Sequence, residues 1–176
     1  MAGVAADSEA LPGPTARLRG RRRAAGIYGS IITAAILAAG GGLLPTDALV
    51  IAVVVELIVY WLAEEYAEIL GEQAVAGVVP TWQAIGEALA STWPMVTASA
   101  APLAAVVLAR VAGASALTAA NAGLVVAIVS LMVHGWLAAR AAQLRGWPLT
   151  VATSIAVGLG LVMILLKDLV LVHLHH

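Results

Sequence analysis

The chain has 176 residues, of which 62% are hydrophobic and 11% charged, and its net charge is −1. A soluble domain carries about 25% charged residues, so this composition leaves too much nonpolar surface for water and excludes an ordinary soluble fold. Near-neutral charge excludes the broad basic surface of a nucleic-acid binder, and the absence of cysteine excludes disulfides, thiol catalysis and thiolate metal sites.

Lipid as solvent predicts an all-α fold, a polytopic membrane helical bundle with about five transmembrane helices, because open strands would strand unpaired amides in hydrocarbon. Arginine outnumbers lysine eight to one, and alanine, valine and glycine abound, as in chains from GC-rich bacterial genomes. The expected location is a bacterial plasma membrane.

Residues 1–25 contain Pro12, Pro14 and the basic run Arg17, Arg19, Arg21, Arg22 and Arg23. They read as a disordered tail ending in a basic collar, with the five-helix domain over 26–176. The following apolar run is too long for a signal peptide. Five apolar segments then approach the roughly 20 residues that cross a hydrocarbon core. The first runs from Gly26 to Leu44 and stops at Pro45. Asp47 is placed to cap the second, from Ala48 to Glu72. A linker with Gly77 and Pro80 leads to Thr81 through Trp93. There Trp82, Ile85, Leu89 and Trp93 share one side, the pattern of an interfacial helix or of a long lead into the third span. That span runs from Pro94 to Val111, the fourth from Leu117 to Arg140, and the fifth from Leu149 to His173.

Lysine and arginine placement sets the orientation. The five arginines before the first span, with Arg140 and Arg145 after the fourth, belong in the cytoplasm. With five spans the amino terminus is then inside and the carboxyl terminus outside.

Ionisable residues inside these spans are the functional candidates, because a charge at mid-bilayer costs roughly 2.5 kcal/mol or more. Glu56 lies roughly 12 Å below the start of the second helix, near mid-bilayer. Glu56, Tyr60, Glu64 and Glu68 step by four residues into a slowly winding polar stripe. Toward the cytoplasmic end Glu65, Glu68 and Glu72 concentrate negative charge suited to a divalent cation or a proton. His134, near the same depth as Glu64 and Glu65, is a further metal ligand or proton relay. The metal-site candidates are therefore Glu56, Glu64, Glu65, Glu68 and His134. A structural account competes with them: Arg110 or Lys167 pairs with Glu56, Lys167 and Asp168 form a local pair, and His134 is an interfacial anchor. The terminal His173, His175 and His176 read as an exposed tail.

Small residues recur every four positions: Ser30, Ala34, Ala38 and Gly42, then Ala119, Gly123 and Ala127, then Ala152, Ala156 and Gly160. In lipid such rows allow close helix contact, within the chain or in a homo-oligomer. Phosphate loop, zinc helix and nucleophile elbow are all missing, so no enzyme and no cofactor is expected.

The layout resembles the vacuolar iron transporter family over Gly26 to His173. Its local echo is Ala63, Glu64, Glu65 and Tyr66, similar to that family's Ala-Gly-Glu-Tyr at the end of helix two. The resemblance implies five spans, a cytoplasmic amino terminus and a metal-pathway role for Glu65. The first span here has no acid in place of the family's Asn-Asp-Gly, and the insert from Gln73 to Thr92 is shorter than the family's metal-binding domain. The expected function is a small, dimeric cation (divalent metal or proton) transporter or channel-like protein; the alternative is a nontransporting membrane scaffold or accessory subunit.

Overall fold

A computed structural model describes residues 13–77 and 79–141, together with Trp147, Val151, Ser154, Gly158, Val162 and Leu165. The described residues are helical throughout, apart from short turns and one isolated bridge between Gly41 and Leu44. The elements are α1 (Pro14–Gly40), α2 (Thr46–Ala76), α3 (Trp82–Thr92), α4 (Pro94–Thr97), α5 (Ala100–Val111) and α6 (Ala116–Ala141). Among the described residues four helical stretches are long and apolar enough to cross a membrane: Leu18–Gly40, Thr46–Ala74, Trp82–Val111 and Ala116–Ala141.

The expected fifth span falls almost entirely outside the described residues, as do Lys167, Asp168, the terminal histidines and the small residues Ala152, Ala156 and Gly160. The six described residues beyond Ala141 are each helical.

α1 begins at Pro14, inside the stretch expected to be a disordered tail. Proline suits the first helical turn, where its missing N–H has no partner to lose. Arginine is a good helix former, so the basic run extends the helix rather than ending it. α2 starts one residue after Pro45, with Asp47 in its first turn rather than at the cap. It closes on Gly77, whose φ of 66° is the left-handed conformation that glycine adopts most cheaply.

The third span is one apolar stretch broken twice. Proline obstructs the carbonyl four residues before it, and Pro94 and Pro102 place the breaks at Trp93 and at Ala98 and Ser99. Hydroxyls re-satisfy the loosened backbone: Ser91 Oγ donates to Ala88 O at 2.8 Å and Ser99 Oγ to Val96 O at 2.7 Å. Trp93 keeps right-handed helical dihedrals, so α3 leads straight into α4.

α1 lies at the centre of the bundle. It runs antiparallel to α6, with Gly26 against the His134 ring at one end and Gly42 against Leu117 at the other. Its close approach to α4 is set by Gly29, which faces the Met95 backbone. Two of the expected small-residue rows form these contacts: Ser30, Ala34 and Ala38 are buried, and so are Ala119, Gly123 and Ala127. Gly42 is exposed. The outer surface carries Ile51, Val55, Val59, Leu108, Val111, Val125 and Val129, all exposed. So large an apolar exterior is suited to lipid.

Candidate functional site at the arginine-rich end of the bundle

The buried face of α2 is a row at four-residue spacing: Leu49, Val53, Leu57, then Trp61 and Glu65. Helical periodicity thus carries an apolar row directly into a carboxylate. Glu65 is only 1% exposed. A bare buried carboxylate is costly, and charge pairing with hydrogen bonds is what offsets that cost.

Two other helices supply the partners. Arg21 of α1 places Nη2 3.5 Å from Glu65 Oε1 and also pairs with Glu68 Oε2. Thr92, the last residue of α3, donates from Oγ1 to Glu65 Oε1 at 2.6 Å. The same hydroxyl accepts from Trp61 Nε1 at 3.0 Å, so its one proton and its lone pairs are both used. Trp93 stands edge-on to Trp61 with ring centres 5.1 Å apart. Glu65 Oε2 and Glu64 Oε2 are buried without a hydrogen-bond partner.

His134 lies on α6 against Gly26 and Ser30 of α1. Its Nδ1 is 2.8 Å from Ser130 O and 3.4 Å from Ser30 Oγ. The carbonyl only accepts, so Nδ1 donates in the shorter contact. This is a packed interface histidine tied to its own helix.

The structure therefore separates the expected site residues. Glu64, Glu65 and Glu68 gather at one end of α2, near Arg21. Glu56 and Tyr60 are exposed on the outer side of α2, because residues one step off the buried row point about 100° away from it. Arg110, offered as a partner for Glu56, instead donates from Nη1 to Ala114 O at 2.5 Å, beyond the end of α5. Among the described residues the ion pairs are those of Arg21, and no three His, Asp or Glu side chains come together as metal ligands.

Arg21 and Thr92 were not singled out in the sequence. Arg21 is one of five arginines in a run, and only the facing of α1 distinguishes it. Thr92 had one signal, its place just before Trp93 and Pro94 at the end of an amphipathic segment. Its hydroxyl is predicted to matter: Thr92→Val should lower stability by about 2 kcal/mol, the cost of a hydrogen bond to a charged group plus an unpaired Trp61 N–H. Unfolding in detergent micelles, followed by tryptophan fluorescence, measures it. An unchanged midpoint would rule out the Thr92 bridge.

Comparison with known proteins gives no match: no protein family, no curated protein and no solved structure is similar to this chain.

Proposed function

We propose that this is an integral membrane protein of a bacterial plasma membrane that moves protons past the buried acids at the end of α2. The observation that supports this reading is the pair of unpartnered carboxylate oxygens, Glu64 Oε2 and Glu65 Oε2, inside a helix otherwise suited to lipid. A buried carboxylate oxygen without a donor is a place to hold a proton. Arg21 offsets the negative charge beside it, which weakens attraction for a divalent metal more than for a proton. The iron-transporter resemblance would give Glu65 a metal-pathway role, and a divalent cation is the second cargo to test.

The arginine-rich end, which carries Arg19, Arg21, Arg22, Arg23 and Arg140, is assigned to the cytoplasm by the positive-inside rule. Glu56, exposed and near mid-span on α2, favours a homo-oligomer in which another protein surface, rather than lipid, meets its carboxyl. A nontransporting scaffold is the competing reading. It is favoured by the Arg21 pairs with Glu65 and Glu68, which account for both acids structurally.

Proteoliposomes separate the two. Glu64→Gln and Glu65→Gln should each reduce proton flux per folded protein at least about tenfold, the loss expected when a group that carries the proton is removed; in Glu65→Gln, Arg21 keeps Glu68 as its partner. Flux of wild-type protein at the level of empty vesicles, for protons and for divalent cations alike, would establish the scaffold.

A further inference from the structure

The arginines of α1 do not all face the same way. Arg21 turns inward to Glu65 and Glu68. Arg19 and Arg22 turn to a groove between the first turns of α1 and the helix α3, lined by Thr15, Leu18, Arg19 and Arg22 on one side and Glu87, Ala90 and Ser91 on the other. Positions 15, 18, 19 and 22 form one helical stripe, as do 87, 90 and 91, so the groove is the seam where two helix faces approach without closing.

Its charges are not mutually satisfied. Glu87 Oε1 accepts from Gln83 Nε2 at 3.1 Å along its own helix. Arg19 uses Nε on Thr15 O at 3.3 Å, which leaves its terminal nitrogens available. Among the described residues neither Arg19 nor Arg22 is in an ion pair. Two cations and one anion thus border an opening whose walls, Leu18 and Ala90, are apolar.

Depth points to the occupant. The stretch of α1 long and apolar enough to cross a membrane begins at Leu18, so Arg19 and Arg22 fall within its first five residues, the level of the lipid phosphates when that stretch spans a bilayer. Trp82, 88% exposed, and Trp136, which lies under the Arg140 guanidinium at 4.9 Å, mark the same end; tryptophan concentrates at the headgroup level. Basic pockets between membrane helices bind lipid head groups.

We propose that this groove binds one phospholipid with a phosphodiester and a primary ammonium, the phosphoethanolamine class. Arg19 and Arg22 hold the phosphate, for which guanidinium geometry is well matched. Glu87 takes the ammonium, and an acyl chain lies against Leu18 and Ala90. The two arginines alone suit any lipid phosphate; Glu87 supplies the selectivity, because it repels a purely anionic head group and pairs with an ammonium.

The test is thermal stabilisation of the full chain in detergent, since a ligand that binds only the folded state raises its transition. Phosphatidylethanolamine is compared with phosphatidylglycerol, phosphatidylcholine and inorganic phosphate. The expected result is the largest shift with phosphatidylethanolamine and none with inorganic phosphate. Arg19→Ala and Arg22→Ala should each weaken that binding about tenfold, the loss of one charge-assisted contact. Glu87→Gln, which still accepts from Gln83, should erase the preference over phosphatidylglycerol. Equal shifts with all lipids, an unchanged response in the arginine variants, or a preference for phosphatidylglycerol that Glu87→Gln leaves intact would each overturn the proposal. Circular dichroism of each variant separates lost binding from lost fold, and Arg19→Lys, which keeps the charge, should retain part of the affinity. None of these readouts depends on transport.

Discussion

Gly29→Ala is expected to destabilise the bundle by about 3 kcal/mol, the upper end for overpacking a core. A Cβ on Gly29 would lie 2.0 Å from the carbonyl oxygen of Met95 and 2.8 Å from its carbonyl carbon. Backbone atoms cannot rotate aside as a side chain can. The added methyl must therefore push α1 away from α4, and α1 is also packed on α6 through Gly26 and on α2 through Gly40. Displacement at one contact is passed to the others, because helix association in lipid rests on close packing rather than on a hydrophobic drive. Gly86→Ala in α3 is the control: a Cβ there meets nothing within 4 Å, and alanine should stabilise the helix by about 0.5–1 kcal/mol. Unfolding midpoints in micelles and the monodisperse fraction measure both. Equal stability of Gly29→Ala and wild type would refute the α1–α4 contact.

Arg21→Met is the second large effect. It leaves Glu65 buried with Thr92 as its remaining donor and removes the partner of Glu68. Removing one member of a buried pair costs about 3–5 kcal/mol. The Arg21 side chain is 28% exposed, so solvent screening places the expected loss at about 2–3 kcal/mol. The double variant Arg21→Met with Glu65→Leu should recover most of it, because neither charge is then stranded. Failure of the second substitution to compensate the first would show that Arg21 acts elsewhere than on Glu65. Flux through the double variant bears on function: a structural role for Glu65 predicts a stable protein with unchanged flux, whereas a proton-carrying role predicts a stable protein that has lost it.

Much of the architecture can be read from residue types alone. An apolar fraction of 62% with 11% charge leaves helices in lipid as the satisfactory arrangement. Pro45 marks a span end by backbone chemistry, as does Gly113, which follows α5 with a φ of 89°, and the rows Ser30, Ala34, Ala38 and Ala119, Gly123, Ala127 announce tight helix contact. Those are local properties, fixed by side-chain size, proline geometry and solvent transfer. The extension of α1 back to Pro14 was less legible, since five clustered arginines suit either a solvated tail or a helix whose cations have somewhere to go.

What the folded chain decided is which acid is inside. Glu56, Glu64, Glu65 and Glu68 occupy one helix, and four-residue spacing alone links Glu56 to Glu64 and Glu68 as readily as it links Leu57 to Glu65. Rotation of α2 about its axis selects the second row, and that rotation is set by packing of Leu49, Val53 and Leu57 against α1 and its neighbours. The partners Arg21 and Thr92 lie 44 and 27 residues away along the chain. Composition and periodicity determined that this protein is a bundle of helices suited to lipid; the meeting of Arg21, Glu65 and Thr92 depended on three helices docking, because a contact between distant segments is a property of their relative placement and not of any one of them.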